Sequence, residues 1–372
     1  MALNAKTAAK ALASFLSASV LLSGVLGASP AAVAATTATN ANGKMIAGID
    51  ETASEYWAEY LRGVDDIAQS VGNKSTVIAD NFQGDQLLAQ LGAIYAGGCS
   101  GCALVTNATS NAYVKAVVDR SARSGVFVVT VWNRPENLHP WDTGNNKWVA
   151  HTSFDGVESG YLQAKALCTA LHGKGQIAAI EGVPSTPPAF QRMEGLKKAL
   201  AECPGMKLLD TQVGDWQETK AQSITRTWLA RYGNSLNGIF ASNDAMARGA
   251  VAALREKQLN GKVLVTGSDG SKVGLDMVKS GDMLATIWND GVLQGAVSMA
   301  LAHAAAVGDI QPDKLSKAQR DFYLKQEIVT KDNVDHFLAL KTNAPKYTYT
   351  DMKKDFWSYS EGEIPVGVNA AK

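Results

Sequence analysis

Residues able to do chemistry in this chain stand mostly just behind short apolar runs. Asp50, Tyr56 and Trp57 follow "MIAGI", Asn107 follows "ALVT", and Trp132, Asn133 and Arg134 follow "VFVVTV". Further on, Asp155 comes after the run at 148–152, Phe190 and Arg192 after "QIAAI", and Trp216 closes "TQVGDW". Asn243, Asp269 and Asn289 hold the same place behind the last three runs. Carboxylates, amides and guanidinium groups form forked hydrogen bonds to vicinal hydroxyls, and aromatic rings cover the C–H faces between them. The inventory therefore suits a small polyhydroxylated ligand. A plainer reading stands beside it: Asp155, Asn243 and Asn289 or Asp290 each sit where a helix should begin, and Asp or Asn there is often only a cap. Trp57, Trp132 and Trp216 could each be packing between domains. The recurrence at successive run ends is what favours a ligand cleft.

Catalysis finds less support. The histidines at 139, 151, 172, 303 and 336 show no zinc spacing. "TGSDG" misses the nucleophile elbow because Thr266 stands where glycine is required. The phosphate-binding pattern G-x-x-x-x-G-K-[ST] does not occur. Asp155 with Asp269 as a carboxylate pair acting on a glycoside is the enzymatic alternative. No cofactor or metal is expected.

The elements that must position these residues are legible from periodicity. β-branched runs of four to seven residues alternate about nine times with helix-length amphipathic stretches, such as the one with Val114, Val117 and Val118 on one face. Such alternation implies parallel sheets covered by helices on both faces. Two sheets in series, divided near residues 148 to 155, make two similar α/β domains; a closed eight-unit barrel is built from the same units. In open parallel sheets ligands bind beyond the carboxyl ends of the strands, where the polar and aromatic residues above are found.

The N-terminus reads as a leader. Lys6 and Lys10 precede an apolar, small-residue run from Ala11 to Gly27, and Ala32-Val33-Ala34 offers a cleavage pattern. Residues 1–34 are expected to be a secretory signal cleaved near Ala34. The whole chain is 46% hydrophobic and 19% charged, typical of a globular protein, and 35 basic residues balance 35 acidic ones. Loss of a leader holding two lysines leaves the rest slightly acidic, which argues against a nucleic-acid surface.

"GIFASNDAMARGAVAALRE", "VLVTGSDGS" and "GDMLATIWND" resemble the C-terminal half of the ribose-binding-protein-like family of periplasmic sugar-binding proteins. The resemblance extends back through "AFQRMEGLKKAL", "HTSFDGVESGYLQAKAL", "VVTVWNRP" and "ALVTNATS" to "ASEYWAEYLRGVDDIA", covering about residues 44 to 310. It implies a type I periplasmic binding protein: two doubly wound parallel-sheet lobes joined by three strands, here near 150–154, 286–290 and 326–331. The lobes would be 44–151 with 289–325, and 152–288 with 328–345, leaving 346–372 as a surface-packed C-terminal extension. The family's paired aromatics fall on Tyr56 and Trp57, and its Asp-Arg pair on Trp132 and Asn133, with Arg134 next. Its arginine before "R-x-E-G" falls on Phe190, its later aromatic on Trp216, and its Asn, Asp and Gln on Asn243, Asp269 and Asn289. Trp132 and Phe190 replace charged sugar ligands of ribose binders, so the pocket should be more aromatic and ribose is in doubt. The resemblance implies a monomeric, exported protein that captures a sugar or polyol and hands it to the permease of an ATP-driven importer. Presentation of the closed form to a chemoreceptor or histidine kinase is the alternative.

Four cysteines remain. "GGCSGC" at 97–102 precedes a strand, whereas a redox dithiol belongs at a helix N-terminus. An exported protein should hold Cys99–Cys102 as a local disulfide and Cys168–Cys203 as a second one joining neighbouring helices.

Overall fold

A computed structural model describes residues 43–364; the expected leader lies outside these residues. The first set of elements is β1 (Met45–Ile49), α1 (Glu55–Ser70), β2 (Ser75–Ala79), α2 (Gly84–Ala96), β3 (Ala103–Asn107), α3 (Asn111–Arg123), β4 (Phe127–Val131) and β5 (Trp148–Ser153). The second runs α4 (Gly156–Ala170), β6 (Lys174–Glu181), α5 (Pro187–Ala201), β7 (Gly205–Val213), α6 (Glu218–Tyr232), β8 (Gly238–Ala241), α7 (Asp244–Arg255), β9 (Leu264–Thr266), α8 (Lys272–Ser280) and β10 (Ala285–Trp288). The chain closes with α9 (Gly291–Val307), α10 (Lys317–Arg320), β11 (Asp321–Leu324), β12 (Glu327–Thr330), α11 (Val334–Thr342), α12 (Tyr349–Met352) and β13 (Ser360–Glu363).

Two sheets result, in the order β13-β11-β5-β4-β3-β1-β2 and β12-β10-β9-β8-β6-β7. All neighbours are parallel except β13 on β11 and β12 on β10. β1 lies between β2 and β3 as β6 lies between β7 and β8, so each sheet reverses its winding at its first strand, and a crevice opens at the carboxyl ends there. β1 and β3 are buried along their whole length, which explains why they read as unbroken apolar runs rather than alternating ones.

Helices seal the sheets through close glycine contacts. A Cβ on Gly63 of α1 would overlap the Val292 carbonyl of α9, and one on Gly295 of α9 would overlap that of Tyr60. In the second lobe a Cβ on Gly160 of α4 would overlap the Arg192 carbonyl of α5. That contact seats the helix turn carrying Arg192. α9 is buried on nearly every side, between the first sheet and α1, as its Ala-rich apolar sequence demands.

The chain crosses between lobes at 154–155, 289–290 and 325–326. Gln326 ties these crossings together: its Oε1 accepts from Ser159 Oγ (2.7 Å) and Asn289 Nδ2 (3.1 Å), and its Nε2 donates to the Asp155 carbonyl (2.9 Å). A fourth crossing, at 343–348, was not foreseen. Beyond it the tail is part of the first lobe: α12 packs on α1 and α9, and β13 becomes the edge strand of the first sheet. Tyr349, Met352 and Phe356 are buried in that core. The Tyr349 hydroxyl donates to Asp309 (2.6 Å), and Trp357 Nε1 to the Gln319 carbonyl (2.9 Å).

Both disulfides form as expected, Cys99–Cys102 and Cys168–Cys203. "GGCSGC" lies between α2 and β3, at the amino end of the strand, opposite the crevice.

Candidate functional site

The crevice holds a cavity of about 370 Å³ lined by both lobes. The first lobe supplies the ends of its central strands. Asp50 follows β1, and its Oδ2 accepts from Asn107 Nδ2 at the end of β3 (2.7 Å). Tyr56 and Trp57 occupy the first turn of α1, which Ser54 caps by accepting from the Trp57 amide (3.4 Å). The Tyr56 hydroxyl donates to Gln294 Oε1 of α9 (2.6 Å), whose Nε2 donates in turn to the Thr152 carbonyl (3.3 Å). This chain locks the ring in place. Tyr56 meets Trp57 and Trp132 edge-on at 5.5 Å each, and Trp132 leans on Phe154 at 5.3 Å.

The second lobe faces this aromatic wall with charge. Arg192 Nη1 donates to the Ser242 carbonyl (2.6 Å) and lies 4.0 Å from Asp269 Oδ1. Its guanidinium sits 5.5 Å from the Trp132 ring and 5.8 Å from that of Trp216, so it bridges aromatic groups of both lobes. Burial lowers its pKa, partly offset by Asp269, yet a guanidinium keeps its proton regardless. Burial raises the Asp269 carboxyl well above the ordinary range, with Arg192 acting against the rise. Asp244 is pushed up to about 6, again chiefly by burial, although Thr286 Oγ1 (2.6 Å), the Ser271 amide (2.8 Å) and Ser271 Oγ (2.9 Å) all donate to it.

Four of the cleft side chains hang on unusual backbone: φ is 57° at Trp132, 61° at Phe82, 65° at Trp216 and 124° at Asp269. Positive φ in non-glycine residues clusters where the surrounding fold enforces a side-chain direction.

Of the residues expected from sequence, Tyr56, Trp57, Trp132, Asn133, Arg192, Trp216, Asn243 and Asp269 line the cavity. Asn243 also caps α7, accepting from the Met246 amide (2.9 Å) with its oxygen while its amide nitrogen stays available. Four expected residues are placed elsewhere. Arg134 turns away: its Nη1 donates to the carbonyls of Pro135, Glu136 and Leu138, and its Nη2 lies 3.2 Å from Asp321. Asp155 is the cap of α4, accepting from the Glu158 amide (3.0 Å). Asn289 spends its amide on Ser268 (3.0 Å) and Gln326 at the crossings. Phe190 is 45% exposed, because it and Arg192 are two residues apart on α5 and therefore face opposite ways.

Asp50 and Asn107 join the cavity as their strand-end positions suggested, although the resemblance does not mark them. Glu51, Glu55, Phe82, Thr186, Gln217, Glu218 and Arg248 were not foreseen; most lie in loops or first helical turns, where no periodic signal operates.

Two doubly wound lobes around a cleft lined with aromatic and hydrogen-bonding groups define a two-lobed ligand-binding fold of the type I periplasmic binding class. The chain belongs to the family described as periplasmic binding protein domain, whose model matches residues 48–310. A solved structure of a twin-arginine translocation pathway signal protein from Burkholderia phytofirmans is 30% identical with a TM-score of 0.83, covering 87% of this chain and 99% of that one. An ABC transporter periplasmic solute binding protein from Actinobacillus succinogenes with bound D-allose is 26% identical (TM-score 0.68), covering 79% and 100%. Among curated relatives, the xylitol-binding protein of Mycolicibacterium smegmatis is 32% identical over 182 residues, 49% of this chain. The chain spans about half the length of that relative, 50%.

Proposed function

We propose that the protein is an exported solute-binding protein that captures a monosaccharide or sugar alcohol between its lobes and delivers it to the permease of an ABC importer. The observation that carries this reading is the cavity itself. At about 370 Å³ it is near the small end of ligand sites, and it sets the rings of Tyr56, Trp57, Trp132 and Trp216 against the forks of Asn107, Arg192, Asn243 and Asp269. Family relatives with bound D-allose or named for xylitol support the substrate class. In this reading the protein works in the periplasm as a monomer, binds its ligand without turning it over, and has no nucleic-acid partner. The lobes move about the crossings at 154–155, 289–290, 325–326 and 343–348, with closure favoured by contacts to ligand from both walls.

A thermal-unfolding panel of pentoses, hexoses, deoxy sugars and polyols tests this directly. Ligand at 100 times its Kd should stabilise the folded chain by about 2.7 kcal/mol. No shift with any member would overturn the proposal.

A further inference from the structure

The charges in the cleft do not balance. Arg248 is paired with Glu218, and Arg192 stands against Asp269 at 4.0 Å. Asp244 is occupied by Ser271 and Thr286, and Glu55 Oε1 accepts from the Lys272 amide across the lobes (2.5 Å). Among the described residues, no lysine or arginine is paired with Asp50 or Glu51 on the first-lobe wall. Asp50 is 7% exposed and lines the cavity; one of its oxygens takes the Asn107 amide and the other, Oδ1, has no partner. The charges acting on it, from Asp80 behind β2 and from neighbouring Glu51, are both negative, and with burial they push its carboxyl well above the ordinary range.

A hydroxyl could satisfy the empty oxygen only with the carboxyl kept protonated or with a buried charge left uncompensated, and the second is costly. An ammonium supplies the donor and the charge together, and it would find the aromatic residues Tyr56 and Trp57 lining the same cavity. Resting on the carbohydrate or polyol reading above, we infer that the cleft selects a cationic ligand, an amino-substituted sugar or polyol whose ammonium is held at Asp50.

Calorimetric titration with matched pairs tests this at a pH below the amine's own pKa: D-glucosamine against D-glucose, 1-amino-1-deoxysorbitol against sorbitol, and an aminodeoxyinositol against inositol. In the pair that binds best the amine should be at least tenfold tighter than its neutral partner. In Asp50→Asn, which keeps the shape and the Asn107 contact, that ratio should collapse towards one. A retained ratio in the variant would overturn the role of Asp50. Neutral members binding as tightly as the amines would overturn the charge selection and leave the polyol reading standing. Binding by no member of any pair, together with a silent panel of neutral sugars, would sink both.

Discussion

Arg134 shows how much a single side-chain direction decides. It follows Trp132 and Asn133 directly, and sequence spacing places all three behind the same strand. The left-handed backbone at Trp132 (φ 57°) turns the segment so that Asn133 reaches the cavity and Arg134 is enclosed with Asp321 and three carbonyls. Backbone sign is set by what packs around the turn, and no local residue pattern announces it. Losing one partner of a buried ion pair costs about 3–5 kcal/mol. Arg134→Ala should therefore lower stability by that order in urea unfolding while ligand affinity moves less than threefold; a lost affinity with unchanged stability would return Arg134 to the site. His151, enclosed in β5 behind the same cluster, gives a pH signature. Burial first, then Arg134 and His139, hold its imidazole well below the usual 6.5. The unfolded chain then takes up the proton first, so this contribution is complete above about pH 6.5 and declines as pH falls from there through the folded value. Each pH unit in that window removes up to about 1.4 kcal/mol. His151→Gln should flatten the decline measured by urea unfolding between about pH 7 and 5; identical slopes would contradict it.

Strands and helices of the two lobes are legible because burial on both faces writes itself as short β-branched runs, and one-sided burial as helical spacing. The tail is not, for the same physical reason. Tyr347, Tyr349, Met352, Phe356, Trp357 and Tyr359 are scattered among charges with neither period, and their partners on α1, α9 and α10 lie far away in sequence. Their role comes from long-range packing alone, so a segment read as a surface extension turns out to hold an edge strand and part of the first core. Burying Met352 and Phe356 is worth about 1.5–3 kcal/mol each. A chain ending after Thr342 should melt at lower temperature in a calorimetric scan. An unchanged melting temperature would show that the tail only rests on the lobe.

Across the whole molecule, the lobes already touch across the cleft. Lys341 of α11 pairs with Glu59 of α1 in a largely buried contact, Lys272 meets Glu55, and Arg192 lies over Trp132. Both walls are therefore within reach of one small molecule. Capture by closure requires that a ligand be held from both lobes at once, since only contacts present in the closed form can drive the transition. The site residues legible from sequence divide between the two walls, and what sequence left out, such as Glu51, Glu55 and Glu218, lies in a loop or at the first position of a helix. Calorimetric titration with the best ligand of the sugar and polyol panel, on wild type and on Asn107→Ala and Asp269→Ala in turn, tests the central claim most directly. Capture between the lobes predicts one site per chain and a loss of at least tenfold in affinity from either wall. Wild-type affinity in either variant would contradict it.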